Sequence, residues 1–302
     1  MNIVVLGAGA VGGYFGGKLA HAGFPVTFLV REKRYNLLKK NGLQVYSKHG
    51  DFTVKPKLAM DPKEIEGPSV VIVALKTYHL DAALPTIESL VNKGAKVLPL
   101  LNGVDHLDKL SQLVGPENVL GGLCYVESTL NEEGAILQTS DMHDLFFGPL
   151  SGDEPQWLDQ LESMMKDSGF VVQKTDRIIE EMWRKYIFLS SLSAITTAMR
   201  SPIGVAVNDP VTSEFLKQLI REGYQVARNK GIALPATLPE DVYKKIEGLP
   251  PEMTSSMHRD FDKGLPIELE ELHGALVKMG NDSTPAMSAI YSVLHPFREG
   301  KK

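Results

Sequence analysis

A doubly wound α/β domain followed by an all-helical one is the architecture this 302-residue chain predicts, on three observations. Ile3 to Leu6 form an apolar, mostly β-branched run that leads directly into Gly7, Gly9 and Gly12. Strand-like and helix-like segments then alternate as far as Lys174, the pattern of βαβ units stacked into a largely parallel sheet. From Asp176 onward no strand-like run remains, and apolar residues recur at helical spacing instead. The domains are expected over residues 1–174 and 175–302.

After the glycine turn, Tyr14, Phe15, Lys18 and Leu19 mark a helix that reaches His21. Val26 to Val30 is the second strand, Tyr35 to Lys40 a helix, and Leu43 to Lys57 a hairpin-like stretch. Val70 to Leu75 is a third buried strand, Leu80 to Val91 a helix, and Lys96 to Leu101 a fourth strand. Short strands are expected over 119–126, 135–139, 144–147 and 170–174, with antiparallel strands added to the otherwise parallel sheet. Ile178, Ile179, Met182, Trp183, Tyr186, Ile187, Ser190 and Ala194 define a long helix ended by Ser201-Pro202. Further helices fit 210–230, 239–246, 251–261, 267–279 and 286–294.

Composition narrows the functional classes. Hydrophobic content of 43% and charged content of 23% are those of an ordinary globular protein. A net charge of −5, with no lysine-arginine cluster on one face, argues against a nucleic-acid partner. The longest apolar run, Val70 to Leu75, is far too short to span a bilayer, so no membrane role is expected. The first apolar run has no charged leader and is too short for a signal peptide. A single cysteine, Cys124, cannot close an internal disulfide and fits a cytoplasmic setting, where it reads as a buried, inert thiol. No metal-ligand pattern is read.

The glycine spacing carries the chemistry. Strand, G-x-G-x-x-G and helix together form a dinucleotide turn, spanning Gly7, Ala8, Gly9, Ala10, Val11 and Gly12. Gly7 permits the tight turn, Gly9 lets a pyrophosphate approach, and Gly12 brings helix and strand close. The helix N-terminus supplies N–H groups and a positive dipole end. At the end of the second strand stands Arg31, whose guanidinium suits a 2′-phosphate and points to NADP(H). Glu32 follows it, and a slip of one residue would place an acid there for ribose hydroxyls instead. Ligands of such sheets gather beyond the strand carboxyl ends, which here also carry Lys76 and Asn102. Lys76 can reach ribose or phosphate oxygens, although a surface charge capping a strand is the plainer reading. Asn102 can offer its amide to the nicotinamide or a carbonyl, although Asn-Gly is also a common turn.

Two candidates lie in the helical half. Lys185 stands between Trp183-Arg184 and Tyr186, sharing a helix face with Leu189 and Ser193. An ammonium there can protonate a ketone oxygen as negative charge develops on it. Glu268 begins a helix after Gly264-Leu265-Pro266-Ile267, where the helix dipole alone would favour an acid. Its functional reading is a carboxylate that orients Lys185 or contacts the nicotinamide ribose.

With these residues assembled, the chain resembles the ketopantoate reductase (2-dehydropantoate 2-reductase) family nearly end to end. The likeness rests on Gly7-x-Gly9-x-x-Gly12 with Arg31, Leu75-Lys76-Thr77, Leu101-Asn102-Gly103 and Met182-Trp183-Arg184-Lys185. It continues through Ser255-Ser256-Met257 to Asp260, Gly264-Leu265-Pro266-Ile267-Glu268-Leu269-Glu270, and Thr284-Pro285 with Tyr291. The resemblance implies a Rossmann-type N-terminal domain and NADPH-dependent reduction of a 2-keto acid, 2-dehydropantoate to pantoate, in pantothenate and coenzyme A synthesis. It implies that Lys185 donates the proton and that Glu268 assists near lysine and ribose. Lys76 and Asn102 would contact NADPH, while Lys185, Ser193, Ser256 and Asn102 would contact substrate. A homodimer through the helical domain is implied by the resemblance alone.

One departure stands out. Family members usually carry asparagines four and eight residues after the lysine, where this chain has Leu189 and Ser193, and a frequent Asn-Gly appears as Ile203-Gly204. Each lost amide removes a hydrogen bond worth roughly 0.5–1.5 kcal/mol. A reductase of the same architecture acting on a less polar 2-keto acid or ketone is therefore the second expectation. A non-catalytic NADP-sensing protein is the third, and retention of both Lys185 and Glu268 argues against it.

Overall fold

The computed structural model describes residues 1–150 and 155–300. They separate into two compact units, Met1–Leu101 with His106–Ile178, and Asn102–Asp105 with Ile179–Lys302.

The first unit opens with β1 (Ile3–Leu6), α1 (Ala10–His21), β2 (Val26–Leu29) and α2 (Glu32–Asn41). It continues through β3 (Leu43–Ser47), β4 (Phe52–Val54), β5 (Lys57–Ala59), β6 (Val70–Val73), α3 (Leu80–Val91) and β7 (Lys96–Pro99). After the excursion of 102–105 come α4 (His106–Val114), β8 (Leu120–Leu130), β9 (Ile136–Pro149), α5 (Trp157–Lys166) and β10 (Val171–Lys174). Five strands form a wholly parallel sheet in the order β5-β2-β1-β6-β7. All residues of β1, β2 and β6 are buried, which is why these segments read as unbroken apolar runs and not as alternating ones. Tyr14, Phe15 and Leu19 of α1 pack with Ile3, Val5, Phe28 and Ile72 in one continuous core. This is the Rossmann arrangement.

The added antiparallel strands do not lie on the edge of that sheet. They build a second, mixed sheet, β10-β9-β3-β4, with β8 antiparallel to β9. The expected hairpin is β3 against β4, but its last part, β5, leaves to pair parallel with β2. The short strands expected between 119 and 147 fuse into two long ones of 11 and 14 residues. The gap between the strands expected over 135–139 and 144–147 is bridged by β9, which is exposed at Asp141 and Met142. Two helices were not foreseen here, α4 and α5. In α5 the buried residues Leu158, Leu161 and Met165 do follow helical spacing.

Among the described residues the regular structure of the second unit is all helical: α6 (Ile178–Met199, whose first residue belongs to the first unit), α7 (Ile203–Asn208), α8 (Pro210–Asn229), α9 (Leu238–Glu247), α10 (Ser256–Asp262), α11 (Ala275–Gly280) and α12 (Pro285–Leu294). Local chemistry sets the helix starts. Asp209 accepts from the Thr212 N–H at 2.8 Å ahead of Pro210. Ser255 accepts from the His258 N–H at 3.0 Å, so α10 begins at Ser256 and not near Pro251. The helix expected over 267–279 is interrupted by a wide π turn, Glu270–Gly274, before α11. At the start of α12 the buried Glu222 carboxylate accepts from the N–H groups of Ala286 and Met287 at 3.0 and 2.9 Å. Among the described residues no helix is long and apolar enough to cross a membrane.

Candidate active site

Each unit supplies a distinct set of groups. In the first, the glycine turn leaves the end of β1 and starts α1. A β-carbon at Gly7, whose φ is +100°, would lie 2.7 Å from the Ala74 carbonyl oxygen. At Gly12 it would strike the Gly7 carbonyl and sit 2.9 Å from Ala74 Cβ. Both positions therefore accept only glycine. Gly9 is different: an added β-carbon there meets nothing within 4 Å, so space is open in front of the helix start. Gly9 caps α1 without a side chain, Ala10 and Val11 are half-buried in the first turn, and no acid stands among those residues. An open, uncapped N-terminus with bare backbone donors fits a pyrophosphate.

Val30 is the last buried residue after β2, and the exposed Arg31 is the N-cap of α2. Glu32 is the exposed first residue of the helix, so the arginine, not the acid, holds the strand end. Arg31 Nη2 lies 3.4 Å from His79 Nε2. Burial and the Arg31 charge lower the His79 pKa, keeping that ring neutral beside the guanidinium. Lys76, half-buried, stands two residues beyond Ala74 at the start of the turn Thr77–His79.

Asn102 follows β7 in sequence but is packed with the helical unit. Its Nδ2 donates to Glu268 Oε2 at 3.2 Å, and Glu268 is only 4% exposed. Gly103, with φ +86°, brings the loop against the Glu271 carbonyl. Lys185 is half-buried on α6, and its neighbour Tyr186 donates its hydroxyl to the same Glu271 carbonyl at 3.2 Å. That link, with the Asn102–Glu268 bond, draws the Lys185 turn of α6, the 102–105 loop and the Glu268 segment into one cluster. Full burial, with Asp105 and Glu271 nearby, drives the Tyr186 pKa far up, so its phenol stays protonated and able to donate.

The π turn begins two residues after Glu268, with Leu269 as its N-cap, a distortion frequent at functional sites. His273 within it is fully buried and hydrogen-bonds through Nε2 to the Ser190 carbonyl at 2.9 Å, fastening the turn to α6. On α6 the half-buried face near Lys185 comprises Glu181, Arg184, Phe188 and Leu189. Ser193 is 1% exposed, and Ile203 is equally buried. Lys245 of α9 sets its ammonium 5.1 Å from the Phe188 ring centroid. Ser256 is half-buried at the start of α10, where Ser255 performs the capping.

Sequence reasoning passed over Tyr186, His273 and Arg34. Tyr186 and His273 look like ordinary core aromatics, and only their partners 85 and 83 residues away reveal more. Arg34 sits in a basic turn that reads as solvated. Among the described residues no group of histidine, cysteine, aspartate or glutamate side chains is arranged to hold a metal ion.

A parallel sheet entered through a glycine turn and followed by a helical unit is the frame that two family models match, and that family makes the chain an oxidoreductase of the kind that acts on a CH–OH group. Family models for the ketopantoate reductase PanE/ApbA and for its C-terminal part match residues 3–152 and 177–298. The chain belongs to the ketopantoate reductase PanE/ApbA family, whose members are NAD(P)-dependent. An uncharacterized oxidoreductase of Bacillus subtilis, YkpB, is 33% identical with all of both chains covered. The PanE/ApbA family ketopantoate reductase from Ralstonia eutropha is 25% identical, has a TM-score of 0.88, and covers 99% of this chain and 98% of its own. D-mandelate dehydrogenase, solved with NADH and anilino(oxo)acetate, shares the fold at TM-score 0.87 and 22% identity, with 99% and 98% covered.

Proposed function

We propose that the protein catalyses NADPH-dependent reduction of a 2-keto acid, with 2-dehydropantoate reduced to pantoate as the leading reaction. The observation that carries this reading is the Asn102–Glu268 hydrogen bond beside the Lys185 turn of α6. Residues 1–174 would be the cofactor-holding half and 175–302 the catalytic half, which the 102–105 loop joins through the Asn102–Glu268 bond. The N–H groups of the Gly7–Gly12 turn would hold the pyrophosphate, Arg31 the 2′-phosphate, and Lys76 and Asn102 further cofactor oxygens. When bound, the reduced nicotinamide supplies a hydride to the substrate's ketone carbon.

Lys185 then delivers a proton from its ammonium to the ketone oxygen, so charge never accumulates there as a free alkoxide. Glu268 keeps that ammonium aimed and is itself fixed by the Asn102 amide. Ser256, half-buried, is the hydroxyl assigned to substrate; Ser193, at 1% exposure, belongs to the packed interior of α6. The proposal includes a cytoplasmic enzyme of pantothenate and coenzyme A synthesis, and a homodimer by family likeness.

Leu189 favours a second reading. It is half-buried beside Phe188 on the same stretch of helix as Lys185, where an amide would suit a polar substrate. A 2-keto acid with an apolar or aromatic side chain would gain contact there, and D-mandelate dehydrogenase, of the same fold, carries a name that denotes an aromatic 2-hydroxy acid. Purified protein assayed by NADPH and NADH absorbance at pH 7 over a panel of 2-keto acids decides the matter. Highest kcat/KM for 2-dehydropantoate with NADPH supports the first reading, preference for phenylglyoxylate-like acids the second, and no turnover with any removes both.

A further inference from the structure

We infer that Arg34 is a positioning residue for the dinucleotide: its guanidinium fixes the orientation of the Ala8–Gly9 peptide in the glycine turn, and so the direction of the Gly9 N–H. The inference rests on the cofactor reading above and goes beyond the residues assigned there.

Arg34 lies in the first turn of α2, three residues past Arg31, and its side chain reaches the glycine turn and the turn between β8 and β9. Nε donates to the Ala8 carbonyl oxygen at 2.8 Å, and Nη1 donates to the Gly134 carbonyl oxygen at 2.6 Å. Gly134 lies in the turn that joins β8 to β9, with φ +80°. A planar guanidinium thus ties the phosphate turn, α2 and the hairpin tip together. The remaining nitrogen, Nη2, is buried without an acceptor, and burial lowers the pKa of the group. A half-buried cation with one nitrogen unsatisfied is an expensive way to stabilise a fold.

Peptide planarity supplies the functional consequence. In a trans peptide the C=O and the following N–H point in opposite directions. With the Ala8 oxygen held by Arg34, the Gly9 N–H must face away from it. A glycine flanking that peptide tolerates wide φ and ψ, so without the brace the unit can flip and turn its carbonyl toward an incoming anion. Lysine keeps the charge but lacks the two-pronged geometry that spans both carbonyls.

The test is titration of the purified chain with NADPH and with NADH, followed by nucleotide fluorescence, for wild type, Arg34→Lys, Arg34→Gln and Arg31→Ala. Steady-state kinetics and thermal melts accompany the titration. Both Arg34 variants are expected to weaken both dinucleotides by a similar factor, about tenfold. The loss falls on KM for dinucleotide and not on kcat, whereas Arg31→Ala weakens NADPH alone. Unchanged affinity with a lowered melting temperature reduces Arg34 to a structural prop and overturns the inference. So does a loss confined to NADPH, which would make Arg34 a direct phosphate contact, or full recovery in Arg34→Lys, which would make charge sufficient. Wild-type protein that binds neither dinucleotide removes the cofactor reading itself, and the brace with it.

Discussion

The Asn102 side-chain amide donates to Glu268 Oε2 at 3.2 Å, joining residues 166 apart in sequence. Glu268 is 4% exposed, and a buried carboxylate must find donors or lose the solvation it had in water. Asn102 therefore does more than close an Asn-Gly turn. It holds the orientation of the carboxylate assigned to Lys185. Asn102→Ala and Glu268→Gln should each lower kcat, and the double variant should lose less than the two single losses added together. A coupling of about 0.5–3 kcal/mol in a kcat-based double-mutant cycle is expected. Strict additivity would mean that the hydrogen bond carries no catalytic consequence.

Lys185→Ala separates proton delivery from cofactor binding. Removing a general acid from the transition state reduces turnover by roughly 10²–10⁴. The dinucleotide Kd should stay near wild type, because the glycine turn and Arg31 belong to the other unit. Single-turnover absorbance and fluorescence titration measure the two quantities independently. Turnover at the wild-type rate would dismiss the lysine as acid.

Specificity can be probed where the polar amides are missing, but Leu189 and Ser193 are not equivalent. Leu189 is half-buried and can accept asparagine, which should raise kcat/KM for 2-dehydropantoate and lower it for aromatic 2-keto acids. Ser193 is 1% exposed in a packed stretch of α6, so asparagine there overfills the core at about 1–3 kcal/mol. Leu189→Asn is the informative variant, read by a substrate panel with a melt as control. A fall in kcat/KM for both substrate classes would contradict the assignment of Leu189 to the pocket.

What the sequence disclosed follows the range of the interactions involved. Gly7, Gly9 and Gly12 were readable because strand, turn and helix form within a dozen residues and their spacing encodes geometry. The α6 helix was readable because its apolar stripe is local. The second sheet was not, since pairing of β3 with β9 depends on residues about ninety positions apart, such as Val45 and Ile136. The 102–105 loop looked like part of the α/β half, and only its contact with Glu268 and Glu271 assigns it to the helical unit. The π turn at 270–274 escaped because helical spacing does not distinguish it from an uninterrupted helix over 267–279. Arg34 escaped for the opposite reason: a charged residue in a basic turn gives no sign of the two backbone carbonyls and the half-burial that define it.

Buried His273 predicts how acid weakens the helical unit. Its Nε2 lies 2.9 Å from the Ser190 carbonyl, so that nitrogen carries the proton, while Nδ1 is buried without a partner. Burial disfavours the imidazolium and lowers the pKa to about 4, the Ser190 bond offsetting only part of this. In the unfolded chain the ring titrates near 6.5. Between those values the unfolded chain binds a proton that the folded unit refuses. The stabilisation is therefore whole above pH 6.5 and is lost progressively as pH falls toward 4. At pH 5 the loss amounts to about 2 kcal/mol. His273→Gln retains an N–H donor for Ser190 but cannot titrate. Urea melts at pH 7.5 and 5.0, followed by far-ultraviolet circular dichroism, should show the wild type losing about 2 kcal/mol more than the variant. Parallel pH dependences for the two proteins would show that this imidazole is solvated and protonated in the folded unit, against its burial between the π turn and α6.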